Sequence, residues 1–151
     1  MNYFTNLLKE TYNGKTIART LFNWGISKHV KNISGVVIDL GGGKNPSYER
    51  FWQIKPEKFI RVDINEKAEP DVIADLNEPL PFPDNYTDVV FLFSVIYILK
   101  DPTQVFKEIY RILKPGGRLF LTSPFIFNEA KEPTDYWRLT SEALEKLLKE
   151  S

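Results

Sequence analysis

The sequence predicts an α/β fold, a mainly parallel sheet covered on both faces by helices. Short apolar, β-branched runs recur along the chain at residues 35–40, 59–63, 71–74, 88–93 and 118–123. Helical patterns with apolar stripes alternate with these runs. A glycine loop, Gly41-Gly42-Gly43, follows the first of them, and in such sheets ligands bind at the carboxyl ends of the strands.

The elements follow in order. Phe4, Leu7 and Leu8, then Ile17, Leu21, Phe22 and Trp24, recur near helical spacing, with Asn13-Gly14 as a break, so one or two amphipathic helices come first. Residues 35–40 form the first strand. Residues 47–53 read as a helix, with Pro46 suited to its first turn. Strands are expected at 59–63, 71–74 and 88–93. Asp101-Pro102-Thr103-Gln104 is a helix start: Asp101 caps, Pro102 needs no amide partner, and Gln104 can reach back. Val105, Ile109, Ile112 and Leu113 give that helix its buried stripe. Pro115-Gly116-Gly117 stops it and turns the chain into a fifth strand at 118–123. Thr140 or Ser141 caps a last helix with Leu144, Leu147 and Leu148 on one face.

Composition narrows the functional classes. The 151 residues carry 20 basic and 20 acidic side chains, and no basic stripe with interleaved aromatics crosses the core, which argues against nucleic acid as a partner. The first 31 residues hold five Lys or Arg (Lys9, Lys15, Arg19, Lys28, Lys31) against one acid, Glu10; a solvated helix face accounts for them. There is no cysteine and one histidine, His29, so no metal site is expected. No apolar run approaches ~20 residues and the start lacks a leader pattern, so a cytoplasmic protein without a membrane span is expected.

The glycine loop poses a chemical question. Gly41 and Gly43 let the backbone approach a ligand closely. Asp63 ends the second strand twenty residues after Gly43, where a carboxylate can accept both ribose hydroxyls of an adenosine. A dinucleotide and S-adenosylmethionine both fit this much. Three features separate them. Pro46 stands where a dinucleotide loop has its third glycine. Asp39, two residues before Gly41, would repel a pyrophosphate but attract the ammonium and sulfonium of S-adenosylmethionine. Asp75 can accept the adenine amino group while the Leu76 amide donates to a ring nitrogen.

These residues resemble the class I S-adenosylmethionine-dependent methyltransferases, of the type 11-like kind. The resemblance runs from about Val36 to Leu148. It covers Val-Ile-Asp-Leu-Gly-Gly-Gly (37–43), Asp63, Ala-Asp-Leu-Asn-Glu-Pro-Leu-Pro-Phe-Pro-Asp (74–84) and Thr-Asp-Val-Val (87–90). It continues through Glu-Ile-Tyr-Arg-Ile-Leu-Lys-Pro-Gly-Gly (108–117) and Thr-Ser-Pro-Phe (122–125). The block Glu-Pro-Thr-Asp-Tyr-Trp-Arg-Leu-Thr (132–140) is similar to a subgroup linked to small molecules or surface glycans. The resemblance implies a Rossmann-like three-layer sandwich with strand order 3-2-1-4-5. Residues 1–34 would be a helical lid or cap packed on it, and 35–151 the cofactor-binding core. It also implies that Asp39 and Gly41, Gly42 and Gly43 hold the methionine moiety, Asp63 the ribose, and Ile64 the adenine face. Asp75 and Leu76 would read the adenine edge, and Phe93 and Ser94 close the methionine side. Asp88 is assigned a structural role, and 114–117 a helix stop and turn.

The implied reaction is in-line methyl transfer to a small molecule or glycan-related acceptor. Because the cofactor is already activated, alignment and exclusion of water are the main requirements, and no catalytic residue is fixed. Asp135, Tyr136 and Arg138 are candidates at the pocket mouth; equally, they can tie down the loop after the fifth strand. His29 is a candidate base if the first helices form a lid, and Trp24, Trp52 and Trp137 can line an acceptor pocket. Tyr97 and Ile98 occupy the place of a Glu-His pair common in relatives. The family core usually adds further strands after the last helix, so the fifth strand is expected to be an open edge, suited to self-association as a homo-oligomer. A non-catalytic or truncated, inactive S-adenosylmethionine-binding module is the alternative, and a nicotinamide dehydrogenase a third.

Overall fold

The computed structural model describes residues 16–44, 46, 48–49, 54–126, 128–130 and 133–151. The chain divides into two units, 1–33 with 45–55, and 34–44 with 56–151. The expected helix built on Phe4, Leu7 and Leu8 lies outside the described residues, as does most of the one expected at 47–53, including Trp52.

In the first unit, α1 spans Ile17–His29. Thr16 caps it by accepting from the Arg19 amide at 3.2 Å. The cations of the helix lie over aromatic rings: Arg19 is 5.4 Å from the Phe22 ring centre and Lys28 is 4.8 Å from that of Trp24. The Phe22 ring in turn meets Tyr48 edge-on at 5.7 Å.

The second unit holds a five-stranded parallel sheet. Its strands are β1 (Val36–Leu40), β2 (Lys58–Asp63), β3 (Val72–Ile73), β4 (Thr87–Phe93) and β5 (Leu113–Thr122), in the order β3-β2-β1-β4-β5. This is the order expected from the resemblance. Alternation along the strands separates two apolar faces. Ile38, Leu40, Ile60, Val62, Val90 and Leu92 pack with Val105, Phe106, Ile109 and Ile112 of α2 (Pro102–Ile112). Leu144 and Leu147 of α3 (Ser141–Glu150) join the same cluster. The opposite face is aromatic: Phe91 stacks on Phe93 at 5.0 Å and meets Phe120 edge-on at 5.8 Å. Both faces of β4 are therefore apolar, as a central parallel strand requires.

Helix α2 begins where the sequence indicates, with Asp101 Oδ1 accepting from the amides of Thr103 at 3.0 Å and Gln104 at 3.2 Å. Its far side secures the segment between β3 and β4. Arg111 donates to the carbonyls of Leu80 and Phe82 and to Asp84, while Glu108 accepts from the Leu80 amide at 2.8 Å.

Two elements differ from expectation. β3 has two residues rather than four, because the Asp71 side chain is engaged in accepting from the Arg61 amide at 2.8 Å. After α2 the chain enters β5 at Leu113 directly. Thr87 pairs with Leu113 and Val89 with Arg118, so β5 advances five residues while β4 advances two. The expected turn at 114–117 is thus an excursion within β5, with Gly116 at φ +78°. It adjoins the start of β4, whereas the glycine loop lies after the end of β1. Asp88 ties this end together: it accepts from the Val36 amide and from Lys114 Nζ, each at 2.8 Å. The same carboxylate occupies the space a side chain on Gly35 would need. Among the described residues no helix is long and apolar enough to cross a membrane, and no cluster of acids and histidine could hold a metal ion.

Candidate cofactor site at the strand ends

Parallel pairing brings the ends of β1, β2, β3 and β4 to one edge, and the strand order reverses between β1 and β4. A cavity of about 280 Å³ opens there. Gly41, Asp63, Ile64, Asp75, Leu76, Phe93 and Ser94 line it, seven of the ten residues expected to hold a cofactor.

The glycine turn is shaped by its neighbours. Gly41 has φ +79°, donates its amide to the Val62 carbonyl at 2.7 Å, and leaves no room for a Cβ beside Val95. Gly42 lies over the Asp39 carboxylate, and a Cβ on Gly43 would come within 2.9 Å of Ala68. The Lys44 amide then donates to the Ala68 carbonyl at 2.7 Å, and its ammonium pairs with Glu69. Asp39 is fully buried beneath the loop. Asp39, Gly42 and Gly43 therefore shape the cavity from below and are not part of its wall.

The two lining acids share a local device. Asp63 Oδ1 accepts from the amide two residues on, that of Asn65, at 2.8 Å. Asp75 Oδ1 does the same with Asn77, at 2.9 Å. Each is an Asp-x-Asn turn at the end of a strand, which points a carboxylate without a distant partner. Ser94 ends β4 at φ 57°, unusual for a non-glycine residue; its amide donates to the Thr122 carbonyl at 3.0 Å and lies 3.2 Å from Thr122 Oγ1.

The other wall comes from residues to which the sequence reading gave no part in binding the cofactor: Ala74, Asn77, Val95, Ile98, Leu99 and Pro133. Asn77 had a local signal, since Asp-x-Asn occurs after both β2 and β3. Val95 comes in as the neighbour of Ser94 just past β4, whereas Pro133 reaches the cavity from the distant loop after β5.

Asp135, Tyr136 and Arg138 do not line the cavity. Asp135 pairs with Arg138 through both carboxylate oxygens, the Oδ2 contact being 2.6 Å, and also accepts from the Ala130 amide at 3.1 Å. The Arg138 hydrogen bond holds the Asp135 carboxyl below its ordinary range, the opposite of what a base near neutrality needs. The Arg138 guanidinium lies 5.7 Å from the Tyr97 ring centre. The Tyr136 and Trp137 amides donate to the Tyr97 carbonyl at 2.8 and 3.1 Å, and Trp137 Nε1 to that of Leu99 at 2.7 Å. Together these contacts fasten the loop after β5 to the turn after β4. His29 is exposed in the last turn of α1, in the other unit, where Trp24 is also exposed.

The donor set suits an adenosine. Two carboxylates line a cavity whose apolar wall includes Ile64, Leu76, Phe93 and Leu99, and no described acceptor takes the Leu76 amide.

Comparison with known proteins agrees. A family model described as a methyltransferase domain matches residues 38–121. The ubiquinone/menaquinone biosynthesis C-methyltransferase UbiE of Vibrio cholerae is 31% identical in an alignment of 102 residues that covers 56% of this chain and 39% of that protein. The chain thus spans well under half the length of this relative. Among solved structures, a SAM-dependent methyltransferase from Aquifex aeolicus superposes with a TM-score of 0.54 at 19% identity, over 87% of this chain and 75% of that one. The phosphoethanolamine N-methyltransferase 2 of Haemonchus contortus, complexed with phosphomonomethylethanolamine and S-adenosylhomocysteine, gives 0.63 at 21% identity, over 85% of this chain and 36% of that one. Both likenesses are of fold. The family model takes in more than half of the chain, from within β1 to the end of β5, and the chain belongs to the class I S-adenosylmethionine-dependent methyltransferases.

Proposed function

We propose that this chain binds S-adenosylmethionine in the cavity at the strand ends and takes part in methyl transfer to a small organic acceptor. The observation that carries the proposal is the convergence of Asp63 and Asp75 on one cavity behind the Gly41 turn. Asp63 holds the ribose hydroxyls, Ile64 covers one face of the adenine, and Asp75 with the Leu76 amide reads its edge. Asp39 acts from beneath Gly42, contributing negative potential under the methionine end, while Phe93 and Ser94 close that end. The bound cofactor supplies a methyl group already activated on a sulfonium. What remains for the chain is to hold the acceptor in line and keep water out.

Two acceptor classes are carried forward. The block at 132–140 suggests a small or glycan-related molecule, and the UbiE relatives suggest a ring carbon of a quinone precursor. Incubation with methyl-labelled cofactor and one representative of each class separates them.

Calorimetry with S-adenosylhomocysteine tests the site. Wild type binds, and Asp63→Ala weakens binding by roughly tenfold or more, the worth of a charged hydrogen-bond acceptor; unchanged affinity would place the ribose elsewhere. The second reading, a cofactor-binding module without transfer, is favoured by the engagement of Asp135 with Arg138. Tight cofactor binding with no labelled product from any acceptor supports it. The nicotinamide alternative is dropped with the family membership.

Self-association is also part of the proposal. β4 pairs with one side of β5, and no described strand pairs with the other. The regular part of that edge, residues 118–122, is open on its outer side and favours pairing with a second copy. Light scattering over a concentration series checks it, and a monomer throughout would count against it.

A further inference from the structure

Asn77 does more than close a turn. Its backbone amide reaches Asp75 Oδ1 at 2.9 Å, and its side-chain Nδ2 reaches the same oxygen at 2.8 Å. Its Oδ1 accepts from the Lys100 amide at 2.9 Å. The carboxamide is thereby fixed in orientation, because one end must donate and the other must accept. Lys100 directly follows Ile98 and Leu99, which line the cavity from the β4 side, so Asn77 joins two of its walls. Among the described residues no donor reaches Asp75 Oδ2.

We infer that Asn77 is a positioning residue that makes the site selective for a 6-amino over a 6-oxo purine. The inference rests on the proposed cofactor reading. A carboxylate with one free rotation can turn either oxygen, or neither, toward a ligand. Two donors on Oδ1 remove that freedom and present Oδ2 as a fixed acceptor. An amino group at C6 of the purine donates to it. A carbonyl at C6 meets it lone pair to lone pair and is rejected, since a polar site discriminates most strongly when the wrong ligand leaves its groups unsatisfied.

The asparagine side chain is what makes the acceptor unconditional. Asn77→Ala keeps the backbone donor and loses the second. Asn77→Asp, of the same shape, replaces the donor by an acceptor 2.8 Å from Asp75 Oδ1. Two carboxylates that close share a proton, and Asp75 can then donate as well as accept.

The experiment compares dissociation constants for S-adenosylhomocysteine and S-inosylhomocysteine, by calorimetry on the full chain, with thermal unfolding of each variant alongside. Wild type prefers the adenosine ligand. The preference falls by roughly threefold in Asn77→Ala, which keeps the backbone donor to Asp75 Oδ1, and by roughly tenfold in Asn77→Asp, where an acceptor replaces the second donor. A merely structural asparagine would weaken both ligands alike, and an unchanged ratio in the folded variants overturns the inference. If Asn77→Asp does not fold, the Asn77→Ala ratio decides alone. Equal binding of both ligands by wild type also overturns it while leaving the cofactor site intact; no binding of S-adenosylhomocysteine by wild type removes the cofactor reading itself.

Discussion

The carboxylate of Asp39 lies directly beneath Gly42, where any side chain would overlap its Oδ2. The two residues are interdependent. The acid is buried where only the glycine leaves room for it, and the glycine keeps the loop low over the acid. Gly42→Ala is expected to lift the loop and weaken S-adenosylhomocysteine binding by roughly tenfold or more, since displacing close-packed atoms costs about 1–3 kcal/mol. Calorimetry checks it. Gly25, where an added methyl would meet nothing within 4 Å, is the matched control, and Gly25→Ala should leave binding unchanged.

Ser94 is held at φ 57° by the hydrogen bond that its amide donates to the Thr122 carbonyl. Glycine adopts this conformation freely and a β-branched residue resists it. Ser94→Gly should leave the urea midpoint unchanged or slightly raised, and Ser94→Val should cost about 1–2 kcal/mol. Equal midpoints for the two variants would show that the backbone relaxes at this position.

Arg111 donates to Glu108, Asp84 and the carbonyls of Leu80 and Phe82 through three nitrogens. A lysine cannot span that fork. Arg111→Lys is expected to lose about 2 kcal/mol in chemical denaturation, from carbonyls left without donors. A loss near zero would mean that water replaces the guanidinium there without cost.

Acid should unfold the protein partly through two carboxyls. Glu108 is held below its ordinary 4.5, first by the hydrogen bond from Arg111, against the opposing effect of burial and with help from the Leu80 amide. Asp88 is held below its ordinary 3.8, first by Lys114 and then by the Val36 amide. A folded-state value below the unfolded one means that the stabilisation is complete above the unfolded value and drains away as pH falls through the folded one. The urea midpoint should therefore decline below about pH 4.5, and Glu108→Gln with Asp88→Asn should flatten that decline. An unaltered slope in the double variant would assign acid sensitivity to other groups.

Much of this was legible in the sequence, for reasons that differ by element. The central strands are apolar on both faces, and the Asp101-Pro102 start of α2 depends on its own first turn, so both could be read locally. Asp63 and Asp75 were legible as residues lining the cavity at the strand ends because each is oriented by an amide two residues away. β3 was shorter than its apolar pattern because Asp71 spends its side chain on the β2 backbone, a contact between strands that periodicity does not encode. The excursion at 114–117 was hidden for a similar reason, since proline and two glycines signal a turn but not that pairing to β4 resumes on either side of it. Pro133 reaches the cavity through tertiary packing of the loop after β5.

The shape of the glycine turn has a consequence for biosynthesis. Gly41 is braced by Val62 and Val95, and Gly43 by Ala68. A nascent chain that has just exposed the turn has none of these braces. They arrive with the next ~50 residues, which take roughly 3–10 s at ~5–20 residues per second. Until then the glycine turn has no reason to adopt its final path. The loop is thus shaped by chain that is synthesised after it, and its final path depends on packing that sequence-local forces cannot supply.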